Sequence, residues 1–346
     1  MSAAPTRLET EIAEQPEVAA RLLDRLRPDL VGLRAHLGAR GAEQVLLVAR
    51  GSSDNAGRYA QYLWPARSGV TVTMATPSLT TVYDRPLELR RHAVVAVSQS
   101  GRSPDVVAVV EQARAEGRPT LALTNDPASP LAEAAEVVLD LGAGEERSVA
   151  ATKTYTSSLL ALAALGAGEH ELDDLGRVPD ALAAAVATTG GVDEAADLLA
   201  GADRGVCVGR GLNLATAHET ALKLTELTGA LVAPFSPADL LHGPVAAVGP
   251  EAPAVLVAPE EQASPAVLEL LPELRRRGTP VVLLGPTQPG PDADVVVPLP
   301  GDAALPGWLT PLTTVVLGQL VAWQTAVRRG VEVDRPGDLS KVTLTR

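Results

Sequence analysis

The feature that most constrains the fold is an internal duplication. The segment QVLLVARGSSDNAGRYA (44–60) is echoed by RGVCVGRGLNLATAHETA (204–221). In both, an apolar run ends in Arg-Gly and a helical pattern follows. Arg50-Gly51 returns as Arg210-Gly211, 160 residues later. A second pair agrees: VVAVSQSGRSPDVVAVVEQARAEGRPTLALT (94–124) parallels AVLVAPEEQASPAVLELLPELRRRGTPVVLLG (254–285). There Ser103-Pro104 falls on Ser264-Pro265 and Gly117 on Gly278, at an offset of 161. Two copies of one supersecondary series must therefore account for most of the 346 residues.

Each copy alternates strand and helix. VLLVA, VVAVS and TLALT are short, continuously apolar and rich in β-branched residues, the pattern of parallel strands buried on both faces. After VVAVSQSG a helix is well marked. Ser103 stands at its N-cap, Pro104 in the first turn and Gly117 at C′. Val106, Val107 and Val110 supply its apolar stripe. Right-handed crossovers then give doubly wound α/β sheets. The boundaries read as an N-terminal helical extension over 1–29, one sheet domain over 30–168, a partly helical linker over 169–189, a second sheet domain over 190–328, and a tail over 329–346.

Composition narrows the class. Apolar residues form 46% of the chain, enough for two cores, and aromatics only 2%. The net charge of −13 argues against a nucleic-acid surface. It leaves room for a phosphate ligand, which local N–H groups hold. Cys207 is the single cysteine, expected as an apolar filler in a strand, and a reducing compartment fits. Nothing resembles a signal peptide or the about 20 apolar residues of a membrane span, so a cytoplasmic location and no membrane partner are expected. No His/Cys/carboxylate spacing suggests a metal, and SQSGRS is neither a Walker loop nor GxGxxG, so no cofactor is expected.

In open α/β sheets the ligand lies beyond the carboxyl ends of the strands. Two polar loops fall there. Ser98-Gln99-Ser100-Gly101-Arg102-Ser103 puts three hydroxyls and a glycine before a helix N-terminus, a cradle for phosphate. Arg50-Gly51-Ser52-Ser53-Asp54-Asn55-Ala56-Gly57 opens another helix. The plainer alternative makes both ordinary capped turns. Further along, Glu219, Lys223 and Glu226 share one helical face at i, i+4 and i+7. Such a stripe is normally solvated. Here Ala221, Leu222, Leu224 and Leu227 leave little other polar face, so it is expected to line a cleft with Glu226 as general base. The chain has only three lysines, Lys153, Lys223 and Lys341, all in motif segments. A lysine whose pKa is lowered can serve as an amine nucleophile or proton shuttle where Arg cannot. His242 precedes Gly-Pro and follows Asp239, a setting that favours a site role over a surface one.

SQSG, RGSSDN, ERSVAATKTYT (146–156), HETALKLTEL (218–227), LLHGP (240–244) and DLSKVTLTR (338–346) together resemble the double-SIS (sugar isomerase) family. They run in the family's order over nearly the whole chain. The resemblance extends to the isomerase half of glucosamine-6-phosphate synthase and to stand-alone amino-sugar-phosphate deaminases. It implies two flavodoxin-like α/β/α SIS domains in tandem and a C-terminal active-site tail. It implies that Ser98, Gln99, Ser100 and Ser103 hold phosphate, and that Ser52, Ser53, Val149 and Ala150 meet the sugar. Glu226 then shuttles the proton between C1 and C2, with Lys223 and Glu219 in support. His242 opens the ring, often across a dimer interface, and Lys341 stands near the carbonyl, able to form a Schiff base. A homodimer with composite sites is implied.

The sequence departs from the family where Arg102 replaces a Glu and Leu241 a Lys. No glutaminase segment with a catalytic N-terminal cysteine is recognisable, which disfavours glutamine-dependent synthesis. The expected reaction is C2 proton abstraction from glucosamine 6-phosphate, giving deamination or aldose–ketose isomerisation. Dehydration of N-acetylglucosamine 6-phosphate and a non-catalytic sugar-phosphate sensor are the alternatives.

Overall fold

The computed structural model describes residues 5–287 and 293–339 together with Lys341. Two helices open the chain, α1 (Arg7–Ala13) and α2 (Gln15–Leu37). The chain divides into two units. The amino unit comprises residues 17–146 and 153–176 with Lys341; the carboxyl unit comprises 5–16, 147–152 and the described part of 177–339.

The amino unit runs β1 (Gln44–Val48), α3 (Ser52–Ser68), β2 (Thr71–Met74), α4 (Ser78–Thr81), β3 (His92–Ser98), α5 (Pro104–Ala115), β4 (Thr120–Thr124), α6 (Pro130–Ala134), β5 (Val137–Asp140), α7 (Lys153–Gly166) and α8 (Leu172–Leu175). Its five strands pair in parallel in the order β2-β1-β3-β4-β5. The strands read as continuous apolar runs are its centre: Val94, Val95, Ala96 and Val97 of β3 are wholly buried, as are Leu121, Ala122 and Leu123 of β4. Helices on both faces leave those side chains no solvent to meet.

The carboxyl unit runs α9 (Val178–Val186), α10 (Val192–Ala200), β6 (Arg204–Val208), α11 (Leu214–Thr228), β7 (Leu231–Phe235), α12 (Pro237–Leu241), β8 (Ala254–Val257), α13 (Ser264–Leu268), α14 (Leu271–Arg276), β9 (Val281–Leu284), β10 (Val295–Val297) and α15 (Thr310–Arg328). Its sheet is also all parallel, in the order β10-β9-β8-β6-β7. Counted from β7, that is the order of the amino unit. The duplication reaches the backbone: Gly117 and Gly278 both have φ +67°, each closing a helix before a strand. Gly51 and Gly211 have φ +55° and +60°.

The copies diverge in the segments that follow corresponding strands. Gly51 leads straight into α3, whereas a 3-10 turn over Gly211–Asn213 delays α11. The helix after β3 is unbroken, and its counterpart splits into α13 and α14. Helix α11 is pressed close to α15: a Cβ on Gly318 would meet Thr220 Oγ1 at 2.3 Å. Cys207 is fully buried in β6, as expected, and burial pushes its thiol pKa up. Among the described residues no helix is long and apolar enough to cross a membrane.

Candidate active site

The hydroxyl-rich turn lies at the carboxyl end of β3. Ser98 is buried, and its Oγ accepts the N–H of Gly101 at 3.2 Å. The Oγ of Ser100 accepts the N–H of Arg102 at 3.4 Å. The carbonyl of Gln99 accepts Asn125 N–H at 3.1 Å, and that of Gly101 accepts Leu131 N–H at 3.0 Å. The turn therefore rests on the loop after β4. Gly101 is required twice over: its φ is +60°, and a Cβ there would stand 2.0 Å from Ser129 Oγ.

Ser103 occupies the N-cap position of α5 and Pro104 follows, but the expected side-chain cap is not made. Asp105 Oδ1 accepts the N–H of Val106 at 2.9 Å instead. The Ser103 hydroxyl is thus spared from capping. In the neighbouring loop, Ser52 and Ser53 begin α3, half-buried. Arg50 of that loop grips Asp105 Oδ2 through Nε at 2.7 Å and through its terminal nitrogen at 2.6 Å. Asp105 is 2% exposed. This pair bolts the two loops together. Sequence reasoning missed it, because nothing local links residues 50 and 105.

The second copy has no such turn. After β8 it carries Glu260 and Glu261, where a phosphate would meet like charge. Burial raises the pKa of Glu261, whose Oε2 accepts Ala263 N–H at 2.9 Å. Ser264, the counterpart of Ser103, donates to Pro259 O at 2.5 Å. The duplication has yielded one hydroxyl turn rather than two.

What the carboxyl unit offers is the face of α11. Glu219 is wholly buried, Lys223 is 1% exposed, and the side chain of Glu226 keeps 23% exposure. Lys223 Nζ lies 2.5 Å from Glu226 Oε2 and 3.4 Å from Glu219 Oε1. A solvated stripe is excluded for Glu219 and Lys223. Burial by itself would lower the pKa of Lys223. The charges of Glu219 and Glu226 outweigh that and hold it above its ordinary value. Lys223 is thus a fixed ammonium, not the low-pKa amine a nucleophile would need.

His242 is exposed at the end of α12. Asp239 does not steer it: Ser236 Oγ donates to Asp239 Oδ2 at 2.6 Å and accepts Asp239 N–H at 3.1 Å. Val149 and Ala150 lie on a strap over 147–152, with Ala150 1% exposed. Its start is held by buried Glu11 of α1, which accepts Arg147 N–H at 2.5 Å and Ser148 N–H at 3.2 Å. Lys341 donates to Glu146 Oε2 at 2.6 Å. Glu11 was not foreseen, since it belongs to no local pattern; Glu146 opens the quoted ERSVAATKTYT segment but was given no role there. The quoted tail motif continues beyond Lys341 into residues 342–346, outside the described residues.

These features define a duplicated open α/β protein. One sheet carries a hydroxyl-rich turn, and the other carries a helix with a buried Glu–Lys face. The chain belongs to the SIS domain family, whose model matches residues 40–167 and 198–321. It is 30% identical over 353 residues to a glutamine–fructose-6-phosphate aminotransferase (isomerizing) of Bradyrhizobium diazoefficiens. To that of Aeropyrum pernix it is 34% identical over 352 residues. Each match covers 96% of this chain but 57% and 56% of the relative, so the chain spans little more than half their length. A solved structure from Silicibacter pomeroyi DSS-3, provisionally assigned as a phosphosugar isomerase, superposes with a TM-score of 0.84 at 34% identity. That match covers 95% of this chain and 99% of the other.

Proposed function

We propose that the protein is an enzyme of amino-sugar phosphates that removes the C2 proton of glucosamine 6-phosphate. Membership of the SIS family and the sugar-phosphate relatives support the ligand class. The observation that carries the chemistry is the ion pair of Lys223 with Glu226. A carboxylate that keeps some solvent access, set beside a permanently charged ammonium, can take and return a proton. The ammonium can stabilise negative charge on an enediolate oxygen.

The turn at 98–103 takes the phosphate ester through hydroxyls and N–H groups. Ser52, Ser53, Val149 and Ala150 meet the sugar. His242 assists ring opening, and its exposure fits the family arrangement in which a homodimer shares it between subunits. Lys341 meets the carbonyl carbon. Glu226 then moves a proton between C2 and C1, with Glu219 holding Lys223 in register. With a free amine on C2, the product is an imine that water hydrolyses to fructose 6-phosphate and ammonia. A substituted nitrogen cannot follow that course, and loss of the C3 hydroxyl is the route left to the N-acetylated sugar.

The test is to incubate the protein separately with glucosamine 6-phosphate and N-acetylglucosamine 6-phosphate. Ammonia, fructose 6-phosphate and an unsaturated sugar are then assayed. Ammonia and fructose 6-phosphate in equal amounts from the first substrate are expected. An unsaturated product from the second would replace this reading, and no product from either would leave a sugar-phosphate sensor.

A further inference from the structure

We propose that Glu146 is the positioning residue for the amine of Lys341. The side chain of Glu146 is fully buried. It is anchored at the start of α7, accepting Thr154 N–H on Oε1 at 3.1 Å and donation from Thr154 Oγ1 on Oε2 at 2.7 Å. The second of those oxygens also receives Lys341 Nζ at 2.6 Å. A carboxylate withdrawn from water and fixed by two bonds at a helix start cannot follow a moving partner. The lysine must come to it. Lys341 keeps 20% of its side-chain surface exposed, so a small molecule can still reach it. Glu146 thus sets where the tail amine stands before any ligand arrives.

The inference rests on the proposed function only in treating Lys341 as a group that meets the substrate. Its test needs no substrate, so its failure leaves the reaction standing. The chain has three lysines, which makes the probe clean. Lys153 and Lys223 are 4% and 1% exposed and report loss of structure.

Reductive methylation with formaldehyde and cyanoborohydride is followed at each lysine by mass spectrometry. A charge-assisted hydrogen bond of ordinary strength predicts that Glu146→Gln speeds labelling of Lys341 by about tenfold. Lys153 and Lys223 stay as in the wild type. Glu146→Asp, which keeps the charge, brings the Lys341 rate back toward the wild type. Thr154→Val, which removes one of the two bonds that fix the carboxylate, gives a rise of about threefold and serves if Glu146→Gln does not fold. An unchanged Lys341 rate in both Glu146→Gln and Thr154→Val overturns the proposal. So does a rise shared by all three lysines, or an aspartate that behaves like glutamine.

Discussion

Lys223 Nζ stands 2.5 Å from Oε2 of Glu226, less than one turn away on the same face of α11. The lysine is buried and the carboxylate is not fully so. The two partners therefore have different freedoms. The ammonium is fixed, while the carboxylate keeps contact with solvent.

Glu226→Gln keeps the shape and removes the proposed base. Turnover of the amino-sugar phosphate is expected to fall by about 10²- to 10⁴-fold, the usual contribution of a general base. Affinity for the sugar phosphate, read by calorimetry, should stay within about threefold, because uniform binding is untouched. A variant that retains wild-type turnover removes Glu226 from the mechanism.

Lys223→Met tests the buried charge. Glu219, wholly buried, loses its ammonium, and uncompensated buried charges cost about 3 to 5 kcal/mol. The folded-state pKa of Lys223 is raised above its ordinary value of 10.5. Its stabilisation is therefore complete below that unfolded value and is lost as pH climbs through the folded one. Urea titrations of the wild type should show stability falling above about pH 10.5. In Lys223→Met the alkaline loss should be smaller, the remainder coming from the buried Cys207 and Tyr59, whose pKa values burial raises, on top of a lower plateau near neutrality. Equal alkaline loss in both proteins contradicts the assignment.

Two glycines with like φ separate strain from contact. Gly117→Ala meets no atom within 4 Å and carries only the left-handed backbone penalty, about 1 kcal/mol, with ligand affinity unchanged. Gly101→Ala also collides with Ser129, so the turn must move. Its affinity for sugar phosphate should drop by at least about tenfold, as a lost charge-assisted bond to phosphate would give. Equal affinities in the two variants would dissociate the turn from phosphate binding.

The architecture was legible because its signals are local. Apolar runs gave the central strands, and the offset of 161 placed Gly117 and Gly278 at the same φ of +67°. The helical spacing of Glu219, Lys223 and Glu226 put them on one face of α11; the apolar flanks pointed to a cleft, whereas Glu219 and Lys223 are fully buried. What escaped was long-range or energetic. Asp105, Glu11 and Glu146 look like unremarkable acids until the fold presents each to a partner. The direction of the Lys223 shift also depends on whether burial or neighbouring charge prevails, and only the distances to Glu219 and Glu226 decide that.

Arg50 and Asp105 give the last test. The carboxylate is buried, whereas the guanidinium keeps 47% of its surface, so the bond is anchored from the helix side. Asp105→Asn preserves size and can still accept the N–H of Val106, but it no longer carries the charge that draws Arg50 in. A loss of about 1 to 3 kcal/mol is expected from a hydrogen bond to a charged group. The loop at 50–57 is then free to shift from the turn at 98–103, and Ser52 and Ser53 move with it. Misplaced binding groups weaken ground state and transition state alike, so KM for the sugar phosphate should rise about tenfold while kcat changes by less than about threefold. A fall in kcat at constant KM would instead mean that the pair acts on the chemical step. Stability lost with both constants unchanged would make it a structural tie alone.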